Sequence, residues 1–210
     1  MTNMKKYSLL SFLLFTFFFL VLLSCKEEKI FIPKPRIYPK VEYPERNYVQ
    51  FDKNFCDFYF EHPDYMVFEQ DTKFIFREAP HACWFNLQIP SLNGDVHFTY
   101  TPLGPKDSLT KQLHKVYNDA YRMAEEHVSK SNGIEDLLIN NPNNQVYGVL
   151  FNLEGSVASP FQIVLTDSIH HAVRASLYFK TRPDADSMAP VINFVKTDIT
   201  GILNSFKWKE

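Results

Sequence analysis

Alternating hydrophobic positions dominate the middle of this chain. In "CDFYFEH", Cys56, Phe58 and Phe60 fall on one side and Asp57, Tyr59 and Glu61 on the other. A period of two predicts a half-buried strand. "YMVFEQ" follows the turn-like His62-Pro63-Asp64, and "CWFNLQIP" and "DVHFTYTP" continue the pattern. Asn93-Gly94 separates the last two and predicts a hairpin, because both residues tolerate positive φ. The period then changes. Leu109, Leu113, Val116, Tyr117, Ala120, Ala124 and Val128 recur at three- and four-residue steps, predicting an amphipathic helix over 107–130 capped by Asp107 or Ser108. "IEDLLINNPNNQ" reads as a short element and a loop. "VYGVLFNLEG", "FQIVLTDS" and "AVRASLYFK" read as three more strands, with Asp167 to His170 joining the last two. A second apolar stripe, Met188 to Phe206, predicts a closing helix capped by Asp184 or Asp186, with Pro190 in its first turn. The order is strands, helix, strands, helix, so the expected fold class is α+β: a single domain with an antiparallel sheet and two long helices packed on it.

The N-terminus carries a different pattern. Lys5 and Lys6 precede Ser8–Leu23, an uncharged run rich in Leu and Phe. The run is shorter than the roughly 20 residues a bilayer span needs, and with its basic head it reads as a secretory leader, an ordinary transmembrane anchor being the alternative. It ends in Leu22-Leu23-Ser24-Cys25, which resembles a bacterial lipobox. In that chemistry the Cys25 thiol is acylated and the chain is cut before it. Lys26-Glu27-Glu28 resembles the charged signal that sends Bacteroidetes lipoproteins to the cell surface; a plain solvated tether is the alternative. Pro33, Pro35, Pro39 and Pro44 then favour extended, polyproline-like chain and a semi-rigid spacer. The expected organisation is a leader over 1–24, a lipidated cysteine and proline-rich tether over 25–50, and an α+β domain over 51–210.

Composition narrows the function. The formal net charge is −2, and removing the leader takes away two lysines and no acid. That acidity, with no Lys/Arg block, gives no reason to expect nucleic acid as a partner. Beyond Cys25 the cysteines are Cys56 and Cys83, 27 residues apart. In an oxidising envelope they make a candidate disulfide, with two buried free thiols as the alternative.

Catalytic signatures are missing from the sequence: no HExxH, CxxC, GxSxG or P-loop occurs. Neither a metal site nor a cofactor is expected. His170 and His171 are adjacent, so on a strand they would point to opposite faces. His62, His81, His97, His114 and His127 show no chelating spacing. Gly155–Ser159 lacks the second glycine of a nucleophile elbow. What stands out is aromatic and proline loading around loops: Pro80, His81 and Trp84 at one strand entrance, and Pro160 at another. These are candidate partner-binding residues, because Trp and Tyr tend to carry interface energy. Ordinary core and turn chemistry is the competing reading. Exposed Trp84, Tyr59 or Tyr100 stacking on a glycan is another.

Four stretches in order carry a family resemblance: "PKPRIYPKVEYPERNY", "CDFYFEHPDY", "ACWFNLQIPSLNGDVHFTY" and the run from Gly155 to Trp208. Together with the lipobox they resemble the gliding motility lipoprotein GldD family of Bacteroidetes. The resemblance implies a non-enzymatic structural or assembly component of the gliding machinery, tied to type IX secretion. It implies an outer-membrane position on the periplasmic or surface face, with Cys25 as the lipidated residue. Partners would be other gliding or type IX lipoproteins, or further envelope proteins. The element order is also similar to PsbP-like α/β domains, a likeness of fold alone.

Overall fold

The computed structural model describes residues 40–74 and 77–209. The leader, Cys25 and the tether as far as Pro39 lie outside the described residues. Strand periodicity decides the architecture. β1 (Tyr48–Asp52), β2 (Phe58–Pro63) and β12 (Lys207–Trp208) form a three-stranded sheet in the order β1-β2-β12. β3 (Val67–Gln70), β6 (Phe85–Ile89), β7 (Gly94–Pro102), β8 (Ser131–Asn141), β9 (Val146–Gly155), β10 (Phe161–Thr166) and β11 (His171–Phe179) form a seven-stranded sheet in the order β3-β6-β7-β11-β10-β9-β8. β4 (Lys73–Phe74) and β5 (Arg77–Glu78) make a short separate ribbon. Every pairing is antiparallel. The helices are α1 (Lys106–Glu125) and α2 (Ala185–Ser205). The expected α+β class is what the chain adopts.

One face of the seven-stranded sheet is covered by α2 and the three-stranded sheet. Phe58 and Phe60, placed inward by the alternation, are completely buried there. Phe51 stacks on Phe60 at 4.7 Å and on Phe85 at 4.6 Å, and Phe85 stacks on its cross-strand partner Phe98 at 4.7 Å. Phe206, just past α2, closes the group against Phe58 at 5.1 Å. Offset stacks of this kind stabilise by about 0.5–1.5 kcal/mol each beyond the area they bury. α2 contributes Val191, Val195, Ile199 and Ile202 to the same core. Cys56 and Cys83 are joined by a disulfide with their Cα atoms 5.1 Å apart. It closes a long loop, worth on the order of 3 kcal/mol in the chain-entropy picture.

The N-terminal end of the described chain is fastened to α2. Arg46 Nε donates to Asp198 Oδ1 at 2.5 Å, its guanidinium lies 3.9 Å from the centre of the Phe194 ring, and Tyr43 packs on the same ring at 4.6 Å. Asp198 is fully buried and also accepts from the Tyr65 hydroxyl. Burial, the Asp198 hydrogen bond and the charge on Asp198 push the Tyr65 phenol far above its ordinary value. β1 begins at Tyr48, so these contacts and the strand both use residues read as tether.

Four local expectations change. "IEDLLINN" is not a short element before a loop but most of the long edge strand β8, paired with β9 along its length. Both of its faces are largely open, so no alternation marks it; Leu138 is 83% exposed. α1 starts after Pro105 without a side-chain cap from Asp107 or Ser108. Pro190 falls in the second turn of α2, because Asp184 caps the helix by accepting from the Ser187 N–H at 2.9 Å. The β6–β7 hairpin inserts a 3-10 turn, Pro90–Leu92, before Asn93 in the left-handed region. The β8–β9 connection repeats this device: Pro142–Asn144, then Gln145 at φ 53°.

Candidate partner-binding face

The second face of the seven-stranded sheet is built differently. Residues that alternate with the core positions point to it: Trp84 and Asn86 of the β6 region, His97, Thr99 and Thr101 of β7, Arg174, Ser176 and Tyr178 of β11, and Gln162 of β10. α1 covers it only in part. Its packing against the sheet centres on Ala120 and Ala124 with Val149, Phe151, Leu153 and Val164. Beside the helix a cleft of about 410 Å³ is lined by Trp84, His97, Met123, His127, Arg174 and Tyr178. A neighbouring cleft of about 330 Å³ shares Trp84, Thr99, Met123 and Arg174.

Arg174 is the chemical centre of this face. Its Nη2 donates to Gln162 Oε1 at 2.9 Å, and Nη1 lies against the Met123 sulfur. Arg174 Nε and the Gln162 Nε2 are buried and have no hydrogen-bond partner among the described residues. No carboxylate there forms an ion pair with Arg174 either; Asp119 and Glu126 act on it only at longer range. Burial pushes the guanidinium below its ordinary value, yet an arginine stays charged in any protein setting. A charge removed from water without a counter-charge is costly, and an incoming carboxylate would relieve that cost. His97 beside it holds Asn86 Oδ1 through Nδ1 and packs edge-on to Tyr178 at 5.4 Å. Burial lowers its pKa, favouring the neutral ring.

At the end of the strands a second cluster forms next to the disulfide. The Tyr100 hydroxyl donates to Asp57 Oδ2 at 2.7 Å and lies 2.7 Å from His171 Nδ1. The His171 ring stacks on Trp208 at 5.3 Å. Asp167 Oδ1 accepts from the backbone N–H groups of Ile169, His170 and His171 at 2.9, 2.8 and 2.8 Å. Burial pushes this carboxyl up, but the three N–H groups and the nearby His171 more than offset it and hold it below the usual value. Tyr59, Gln145, His170, His171, Lys207 and Trp208 line an open cleft of about 660 Å³.

Of the residues singled out from the sequence, the structure brings His81 and Trp84 together at Tyr100. The His81 ring packs on Tyr100 at 4.6 Å, and Trp84 Nε1 donates to the Tyr100 carbonyl at 2.8 Å. Pro80 is exposed beside them. Pro160 is not part of this rim: it precedes β10, at the opposite end of that strand from the Asp167 turn, and is buried. Tyr100 is 3% exposed, so it cannot stack on a sugar; Tyr59 and Trp84 are half-buried. Adjacent His170 and His171 do not point apart as strand neighbours would, because His170 belongs to the turn and only His171 to β11. Arg174, His97 and Tyr178 were not selected from the sequence. The available signal was an arginine and a histidine at alternate positions of otherwise buried strands.

The described residues therefore define an antiparallel α+β domain with one sealed and one partly open sheet face. No helix among them is long and apolar enough to cross a membrane. The family model for the gliding motility lipoprotein GldD matches residues 28–208. The chain belongs to that family. No curated protein matches the sequence. Among solved structures, the solution structure of cyanobacterial PsbP from Synechocystis is similar, with a TM-score of 0.46 and 10% identity over 79% of this chain and 94% of that one.

Proposed function

We propose that this gliding motility lipoprotein is a non-enzymatic assembly component that docks an envelope protein on the open face beside α1. Lipid on Cys25 holds it at the outer membrane, within the machinery that links gliding to type IX secretion. Fourteen residues lie between Cys25 and Lys40. Extended polyproline-like chain over that length reaches about 45 Å, at ~3.1 Å per residue. Seating of Tyr43 and Arg46 on α2 then fixes where the spacer leaves the domain. The partner is another lipoprotein of the same machinery, presenting a carboxylate to Arg174.

The observation that carries this reading is the half-buried guanidinium of Arg174, whose Nε has no hydrogen-bond partner and which forms no ion pair among the described residues. Trp84, His97 and Tyr178 surround it with the residue types that anchor interfaces. The same aromatics beside Asn86, Thr99 and Ser176 also suit a glycan, which is the second reading. Native co-purification from gently solubilised membranes separates them. Recovery of other gliding lipoproteins at fixed stoichiometry, lost in Arg174→Met, supports docking. Recovery of the lipoprotein alone, with thermal stabilisation by one member of a glycan panel, favours the second reading. Cys25→Ala is expected to release the domain from membranes and abolish gliding; full gliding by the released form would refute the anchoring role.

A further inference from the structure

We propose that Asp167, His170 and His171 form a binding site for a zinc-like divalent transition metal at the open end of the sheets. One ligand atom from each residue lies within 4.8 Å of the other two. Asp167 and His170 belong to the connection between β10 and β11, in which Ser168 adopts φ 68°, and His171 is the first residue of β11. Two imidazoles and one carboxylate are the donor set that borderline divalent metals favour.

Independent contacts prepare two of the ligands. Asp167 Oδ1 is taken by three backbone N–H donors, while Oδ2 lies 3.6 Å from His170 Nδ1. The carboxylate is thus held in place by its backbone donors, with one oxygen toward the histidine. His171 is fixed by its outer contacts. The single proton of the Tyr100 hydroxyl goes to Asp57, so the same oxygen must accept from His171 Nδ1. A neutral ring in that state carries its lone pair on Nε2, and the Tyr100–Asp57 pair behind it is the kind of support that orients metal-bound histidines. Stacking on Trp208 holds the plane of the ring.

The third ligand supplies the adjustment. Tetrahedral zinc with bonds of about 2.0–2.1 Å needs ligand atoms roughly 3.3 Å apart. His170 is 70% exposed in its side chain, so it has room to swing inward. Three protein ligands leave a fourth position facing the cleft of about 660 Å³, open to water or to a donor from another molecule.

The test uses the full-length protein without a histidine tag, in detergent. Zinc chloride is titrated in competition with a chromophoric chelator. One zinc per chain is expected, with affinity falling at least tenfold in His170→Ala. That ring is exposed, so the thermal unfolding of the variant without metal should match the parent. Zinc is also expected to raise the unfolding midpoint of the parent and not of the variant. Absence of binding at micromolar zinc, or binding that His170→Ala leaves unchanged, would overturn the proposal.

Discussion

The two faces of the seven-stranded sheet obey opposite rules. One meets α2 and the small sheet through Phe51, Phe58, Phe60, Phe85, Phe98 and Phe206, with rings in contact throughout. The other meets α1 through two alanines and a few partners, leaving Arg174, His97, Trp84 and Tyr178 around open clefts. The helices differ to match. α2 buries Val191, Val195, Ile199 and Ile202, whereas among the described side chains of α1 only Ala120 and Ala124 are fully buried. A close-packed apolar layer stabilises because area leaves water and few voids remain. A partly desolvated polar layer does not stabilise in that way, and unpaired donors in it mark where another molecule completes the bonding. The difference separates what holds this protein together from what it offers to others.

The largest effects belong on the sealed face. Phe60→Ala removes a fully buried ring that stacks on Phe51 and Phe98. It is expected to cost about 3–5 kcal/mol, measured by urea unfolding; a loss under about 1 kcal/mol would mean the stack is not the structural centre. Replacing both Cys56 and Cys83 by Ala should cost on the order of 3 kcal/mol, seen as a shifted denaturant midpoint under oxidising conditions. Equal midpoints for parent and variant would show that the bridge adds nothing.

Acid sharpens the comparison. Burial lowers the pKa of His97 and His127 on the open face and of His62 near the core. The unfolded chain therefore takes up protons first as pH falls, so stability is full above about pH 6.5 and is lost on acidification toward the lower folded values. Thermal melts should move down between pH 7 and pH 5, and His97→Gln should flatten that slope. A melt unaffected by pH across this window would contradict buried neutral histidines. The smallest stability effect is expected at Arg174→Met. A shorter apolar side chain replaces a half-buried guanidinium that forms no ion pair among the described residues, so stability should stay within about 1 kcal/mol of the parent or rise.

Sequence pattern revealed the sealed face far better than the open one. Cys56, Phe58 and Phe60 alternate with polar residues, and burial on one side makes that alternation visible. β8 was hidden because an edge strand with both faces open has no such constraint, and Leu137-Leu138 breaks the period. Arg174 was illegible for a related reason: on a strand, a charge looks solvent-facing until a helix is known to lie over it. Composition drew attention to Trp84 and His81, and Pro160 stands at a strand entrance as read but is buried, because proline marks a turn without saying whether it is covered. The Asp167 cluster depends on a positive-φ turn that spacing does not encode.

The most direct test pairs stability with partner recovery for Arg174→Met, alongside Phe60→Ala. The expected result is an Arg174→Met protein that unfolds at or above the parental midpoint yet no longer co-purifies the partner lipoprotein or supports gliding. An Arg174→Met protein that keeps its partner and its gliding activity would contradict the assignment of the open face to binding.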